Sequence, residues 1–390
     1  MKLFNLGKDI GGFVLGLALF IVAQPFYFWH TPIPVLVYFA LLLYFLIKSF
    51  NKARSILTFI IAFCLYLFYT LNAGQNIYGS ILLISVSFLF LISEPLLVNA
   101  YNKFIRVLAI LLVPSIIQYI LVKFIGLNFP NTTIQPLLIA KDFTYNAYWF
   151  FTDDNMNPFA ALPRFFGYFD EPGLLGTFCG MILISRNYRL KDTTNLILFI
   201  SGILTLSMYF YILSIMYFLF FANYRYRWIL LLLLILVVVT IYLSLKDTII
   251  GEFFFNRFII EDGQLAGNTR TDNDFDYYFS QFLNTNDIWF GRGGGYALKL
   301  TDNISSYKAV IIESGIIFFL SYMLLFVALA HKYLKFSKSF WIWLLLFSTC
   351  IYQRPVLSKP EYVFIWISSI YYLKSVNYNK YQCDEKRQRQ

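Results

Sequence analysis

Charge is scarce in this chain of 390 residues: Asp, Glu, Lys and Arg together make up only 13%, about half the share of an ordinary soluble domain. Hydrophobic residues make up 59%. A soluble fold cannot hide that much apolar surface and stay dispersed. Histidine is nearly missing. His30 and His331 stand far apart, which excludes a histidine-rich metal centre. Of the four cysteines, Cys64, Cys179 and Cys350 lie inside apolar runs and Cys383 in the C-terminal tail, with no CxxC pair. Neither a disulfide framework nor a thiolate metal site fits that placement.

What is present is a series of apolar runs, from 10–29 through 361–373, many of about the 17–25 residues that span a bilayer. The mean hydropathy is +0.64. The first run follows Lys2 and Lys8, is longer than a signal-peptide core and lacks a small-x-small cleavage site, so it is expected to be a retained helix. The fold class expected is all-α: a polytopic integral membrane protein forming one membrane domain over 1–390.

Lys and Arg placement orients it, because positive loops stay cytoplasmic. The stretches 1–9, 48–54, 94–106, 186–194, 222–227, 331–338 and 374–390 hold 20 of the 31 basic residues and only five acids, while the remainder of the chain is net acidic. The formal charge of +10 is therefore a topology signal, and no nucleic-acid partner is implied. Both termini are expected to be cytoplasmic, with 374–390 as a solvated tail.

That assignment forces the 195–221 run to cross twice. As one helix it would measure about 40 Å at about 1.5 Å per residue, too long for a core of about 30 Å. Two short or re-entrant passes turning near Ser207 bring the count to about twelve crossings; one tilted helix, giving eleven, is the alternative. Two long external segments interrupt the rhythm, 126–172 and 246–307. Connections of that length are functional or disordered, and their aromatics (Tyr145, Tyr148, Trp149, Phe150, Phe151, Tyr277, Tyr278, Trp289) suggest ordered caps. Gly12-x3-Gly16 and Gly176-x3-Gly180 predict close helix packing.

Within the first loop stands Arg164-Phe165-Phe166-Gly167-Tyr168-Phe169-Asp170-Glu171-Pro172-Gly173, directly before a helix. Pro172 and Gly173 suit its first turn, and Asp170 and Glu171 favour its positive end. Capping does not account for Arg164, which can hold a phosphate or pair with Asp170. The second loop carries Arg270, the overlapping pairs Asp272, Asp274 and Asp276, and Phe290-Gly291-Arg292-Gly293-Gly294-Gly295. A metal-holding DxD is not expected outside the cell, and a calcium loop lacks its glycine and glutamate. The glycine run is not a phosphate loop, since no Lys-Ser/Thr follows; backbone freedom or close approach to a ligand is its expected service. Glu313 lies inside the following helix, where an intramembrane carboxylate is a functional candidate by default. A packing bond or an ion pair with Arg354 or Lys359 is an equal alternative.

These features, in this order, resemble the Wzy-type polysaccharide polymerases of the O-antigen ligase/polymerase superfamily. The resemblance covers roughly 100–330: Arg-x-x-Gly-x-Phe-x-acid-Pro at Arg164–Pro172, a second loop with Arg270 near its start and Gly291-x-Gly293 at its close, and Glu313-x-Gly315. Ligases of the superfamily carry His-Asn ahead of that glutamate, where this chain has Ile304 and Ser305. The resemblance implies transfer of a growing glycan from undecaprenyl diphosphate to the non-reducing sugar of an incoming lipid-linked repeat unit, at the periplasmic face of the bacterial inner membrane. No cofactor and no metal is implied, because the sugar–diphosphate bond is already activated. Arg164 and Arg270, then Arg292 and Arg354, would bind the departing diphosphate. Asp170, Glu171 and Glu313 are candidate general bases in no fixed order, and Gly167, Gly291 and Gly293 shape the loops. The partners implied are the lipid-linked oligosaccharides and the bilayer; whether a chain-length regulator also binds is not readable from the residues. The rival class is a transporter, either a flippase of lipid-linked oligosaccharide or a solute carrier, and a second rival is a peptidoglycan-type glycan polymerase, similar in chemistry but different in substrate.

Overall fold

A computed structural model of the chain describes residues 2–49, 56–73, 77–136, 144–154, 163–221, 228, 232, 260–261, 264–265, 273–300, 306–357 and 359–388. Over these residues the chain is mostly helical. In order come α1 (Lys2–Val22), α2 (Ile33–Ser49), α3 (Ile56–Ala73), α4 (Ile77–Ser87) and α5 (Glu94–Lys123). Three short strands follow, β1 (Thr132–Ile134), β2 (Tyr145–Ala147) and β3 (Thr152–Asp154). Next are α6 (Pro172–Ser185), α7 (Thr193–Leu204), α8 (Met208–Phe220) and a ribbon of β4 (Ile260–Glu261) and β5 (Gln264–Leu265). Last come α9 (Asn273–Phe282), α10 (Tyr307–Leu334), α11 (Lys338–Gln353) and α12 (Pro360–Gln388).

Local chemistry fixes where several of these helices begin. Pro172 opens α6 with Glu171 extended at the N-cap, and proline's fixed φ suits a first helical position. The Asp192 carboxylate accepts from Thr194 N–H at 3.0 Å to cap α7, and Ser306 caps α10 through Lys308 N–H.

α5 and α10 are long and apolar enough to cross a membrane. Outward-facing Leu71, Ile110 and Leu324 are 75%, 69% and 66% exposed. Apolar residues exposed over so many helix faces are what a lipid environment tolerates and water does not. Among the described residues, α6 is the helix most completely enclosed: Leu175 and then Phe178 through Ile184 are buried, in contact with α7, α8, α11 and α12. The glycine pairs work as expected. A Cβ at Gly16 would sit 2.7 Å from Ala100 O on α5, so two helix backbones meet there, and one at Gly176 would strike the Ser207 side chain in the turn before α8.

The bundle has two distinct ends. Lys374 pairs with Glu94 at 2.8 Å, Arg186 reaches Asn102 and Asp192 at 2.9 and 2.7 Å, and Ser339 bonds Asn377 at 3.1 Å. Lys374 Nζ also lies 4.7 Å from the centre of the Tyr333 ring, so residues of four basic stretches, 94–106, 186–194, 331–338 and 374–390, gather at one end. At the opposite end, here called the loop end, Phe26 N–H donates to Tyr168 O at 2.9 Å and Asn72 Nδ2 donates to Phe290 O at 3.3 Å.

The 195–221 run breaks where expected. α7 stops at Leu204, Leu206 takes a positive φ of 49°, and α8 starts after Ser207. The two helices return on each other, with Tyr188 stacked on Tyr217 at 5.0 Å and bonded to Ser214 at 2.5 Å. Residues 186–192 and the end of α8 therefore share the basic end. At about 1.5 Å per residue each arm is about 20 Å long, short of the bilayer core of about 30 Å.

The long loops have real structure. β1–β2–β3 is an antiparallel sheet with Ile134 opposite Tyr145 and Tyr145 opposite Asp154. Its inner face joins Phe26, Trp29, Phe166 and Tyr168 in a small aromatic core. Tyr145 and Phe151 are buried within the chain, whereas Trp149 is exposed.

Candidate functional site at the loop end of the bundle

The segment 163–171 is stapled on three sides before it enters α6. Phe165 N–H donates to Leu204 O, Thr152 N–H to Gly167 O, and Thr152 Oγ1 to Phe169 O, all at 3.0 Å. The Tyr145 hydroxyl donates to Asp170 O at 2.6 Å. Gly167 has φ 59° and a Cβ there would meet Leu175 Cδ2 at 3.0 Å, so this turn takes glycine for both conformation and space. Phe165, Phe166, Tyr168 and Phe169 are buried, which anchors the charged residues before and after them.

One arginine lies against the first turn of α6, and another reaches the α7–α8 turn that packs on Gly176 of the same helix. Arg164 Nε donates to Thr205 O at 3.2 Å, in the turn between α7 and α8. Arg354, which ends α11, forms an ion pair with Glu171 through Nη2. A Cβ at Gly173 would lie 2.7 Å from that Nη2, so the missing side chain is what lets the guanidinium approach the helix start. Burial disfavours the Arg354 charge, but the Glu171 carboxylate outweighs it and raises the pKa above the ordinary arginine value; the guanidinium is a permanent cation. Glu171 is the N-cap residue yet makes no side-chain cap. Its carboxylate goes to Arg354 rather than to the helix amides expected from its position.

The second cluster is built around Glu313. α10 kinks at Gly315, with φ 81° and ψ 163°, and the glycine run lies against the kink. Arg292 N–H donates to Ile312 O at 2.8 Å and Gly293 N–H to Glu313 O at 3.0 Å. The Glu313 carboxylate accepts from Gly295 N–H at 3.0 Å, and the Ala297 amide acts on it electrostatically from the same loop. Asn72 Nδ2, from the end of α3, adds a bond to Glu313 O at 3.2 Å. A Cβ at Gly291 would come within 2.4 Å of Glu313 O. The close approach expected of Gly291 and Gly293 is thus to the backbone of α10. Nor does Glu313 pair with Arg354 or Lys359, the alternative left open by sequence: Arg354 takes Glu171, and Lys359 Nζ donates to Gln24 Oε1 at 3.3 Å.

Arg292 sits in an aromatic cage. Nε pairs with Asp287 at 2.8 Å, and Nη1 donates to the hydroxyls of Tyr278 and Tyr296 at 2.5 and 3.0 Å. The Asp287 and Tyr296 hydrogen bonds raise its pKa further. Asn72, Asp287, Gly291, Arg292, Gly293 and Tyr296 line an open cavity of about 500 Å³. Asp276 pairs with Lys308 at 2.8 Å, which commits one acid of the DxD run to tying α9 onto α10. Arg270 and Asp272 lie outside the described residues, and among those described no cluster of His, Cys, Asp and Glu could hold a metal ion.

The structure therefore brings Asp170, Glu171 and Arg354 to the first turn of α6 and Arg164 to the α7–α8 turn packed on the same helix, and gathers Gly291, Arg292, Gly293 and Glu313 around the kink of α10. No family model, curated protein or solved structure matches this chain. The site rests on its own geometry.

Sequence reasoning passed over two charged groups. Asp153 is buried beside Lys123, its ion-pair partner; burial raises its pKa and Lys123 counters in part. Only the unforeseen sheet puts it there. Glu361, 1% exposed in the first turn of α12, lay in plain view at the head of an apolar run, where the reasoning applied to Glu313 would have found it.

Proposed function

We propose that the chain is a Wzy-type polysaccharide polymerase of the bacterial inner membrane, with about twelve crossings, cytoplasmic termini and its loop end at the periplasmic face. One observation carries this reading: an arginine cation paired with an acid lies against the positive N-terminal end of a buried helix, and a second arginine is held on the turn that packs against the same helix. A diphosphate leaving a sugar gains negative charge as the bond breaks. Arginine forks answer that charge with several directed N–H donors, and amides at a helix start add to them. Being fixed in advance, these groups cost little reorganisation at the moment of transfer.

In this reading Arg164 and Arg354 hold the diphosphate of the undecaprenyl-linked donor glycan. Glu171 sets the Arg354 fork, and Asp170 or Glu171 accepts the proton of the attacking sugar hydroxyl. The bond from the anomeric carbon to the diphosphate breaks as the bond to the acceptor oxygen forms. The reaction needs no nucleotide, because the leaving group is already a diphosphate. Glu313, with its carboxylate engaged by two backbone amides, fastens the second loop to α10. Arg292 shapes the loop wall through its tyrosine cage.

The test is glycan length on a gel, from a strain deleted for the gene and complemented with wild type, R164A or R354A. Loss of the ladder with one surface-exposed repeat unit retained is expected for the deletion and both variants. A normal ladder in R164A and R354A would remove the arginine assignment. Repeat units trapped inside the deletion strain would replace the polymerase with a flippase.

A further inference from the structure

A second polar site lies at the loop end, between the end of α1 and the starts of α2 and α12. Gln24, Thr31, Lys359 and Glu361 line part of a cavity of about 110 Å³ whose other walls include Val35 and Leu83. Glu361 is 1% exposed, and its Oε2 has no hydrogen-bond partner among the described residues. The hydroxyl of Tyr38, itself fully buried, is likewise unpartnered and lies within electrostatic range of Glu361. Lys359 Nζ, donating to Gln24 Oε1 at 3.3 Å, sits on the same wall. Gln24 holds the strained positive φ of 57° that ends α1 and turns it over this cavity.

A buried carboxylate oxygen without a partner costs several kcal/mol in an apolar setting, so its retention argues for an occupant. The charges narrow the chemistry. An anion is repelled by Glu361 and a cation by Lys359, whereas a neutral group that both donates and accepts satisfies both. A hydroxyl does so. The volume exceeds a single water, which needs only about 10–15 Å³ measured this way, and suits the hydroxyl-bearing edge of a sugar ring.

We infer that the Gln24–Lys359–Glu361 cavity binds a neutral polyhydroxylated ligand, with Glu361 Oε2 accepting from one hydroxyl and Lys359 donating to its neighbour. The inference does not depend on the polymerase reading. Free sugar and the terminal sugar of a lipid-linked glycan offer the same chemistry, and the experiment separates them.

The full chain in lipid nanodiscs is studied by saturation-transfer difference NMR against millimolar glucose, N-acetylglucosamine and rhamnose, and separately against a polyprenyl-diphosphate-linked oligosaccharide. Ring-proton signals are expected with wild type. In E361L they should weaken about tenfold, the loss of one hydrogen bond to a charged group, with E361Q intermediate. Signals from the free sugars assign a site of its own; signals from the glycolipid alone assign a subsite for its terminal sugar. Equal signals in wild type and E361L, or no signal from either probe, overturn the inference. Replacing a buried unpaired charge with leucine is often neutral or stabilising; should E361L nevertheless lose helix content, K359M carries the same test.

Discussion

Replacing Gly315 with alanine isolates the device that holds the second loop on the bundle. At φ 81° and ψ 163°, Gly315 occupies a region essentially closed to residues with a Cβ, where the strain alone is about 1–3 kcal/mol. The added Cβ would stand 2.3 Å from Trp289 O and 2.6 Å from the Phe290 backbone. Backbone cannot swing away as a side-chain tip can. To relieve the clash, segment 289–295 must leave the kink and give up the bond from Ile317 N–H to Trp289 O, with those from Arg292 and Gly293 N–H to Ile312 and Glu313 O at risk. At about 1 kcal/mol for each bond lost, the expected cost of G315A is about 3–5 kcal/mol.

Gly295 supplies the control. Its φ is also positive, 73°, but a Cβ there meets nothing within 4 Å, and alanine keeps the N–H that binds Glu313. G295A should therefore cost only about 1 kcal/mol, the left-handed penalty. The assay is thermal unfolding of purified protein in detergent, followed by tryptophan fluorescence, with limited proteolysis of the 273–300 segment as a local reading. G315A should unfold well below G295A and be cut faster within the loop. Equal midpoints and equal cleavage would show that the kink does not depend on glycine, and the account of how the second loop is fastened would fail.

Three further outcomes follow from the same geometry. E171A and R354A, measured singly and together for stability, should show a coupling of about 1 kcal/mol, the upper range for partly exposed pairs; additive effects would mean the pair is not formed. Asp192 has a pKa lowered from the ordinary carboxylate value, because Arg186 and the Thr194 amide outweigh the desolvation that opposes them. An acid lowered in the native state adds stability that is present above its unfolded pKa of about 4 and is lost as pH falls through the lower native value. The acid limb of a pH–stability profile should accordingly flatten in D192N, and an unchanged limb would refute the assignment. G16V, which would drive a side chain against Ala100 O and Phe104 N, should cost more than about 1–3 kcal/mol of overpacking and lower the yield of folded protein, read by monodispersity on gel filtration.

What the sequence made legible here is what periodic composition and charge can encode. Among the described residues the apolar runs marked the helices, Ser207 marked the break between α7 and α8, and four of the seven Lys/Arg stretches marked residues that assemble at one end, as the Lys374–Glu94, Arg186–Asn102 and Lys374–Tyr333 contacts show. The Arg164–Pro172 motif marked the start of α6 and one of its two arginines. Long-range partnership was another matter. Glu171 and Arg354 are 183 residues apart, and neither residue's neighbours carry a sign of the other; the only local trace is Gly173, whose lack of a Cβ reads equally well as a helix-start preference. Glu313 shows the same limit from the other side. An acid inside an apolar helix signals that something unusual holds it there, but not whether that is a substrate or two backbone amides of a glycine loop. The glycines themselves had the complementary ambiguity, since close approach to a ligand and close approach to a helix kink demand the same residue. Each partner of the Glu313–Gly295 bond made the other look functional, and only their meeting in space turns two candidate site elements into one structural joint. That leaves Glu361, for whose Oε2 the described residues supply no hydrogen-bond partner, as the acid to which the functional reading of a buried carboxylate passes.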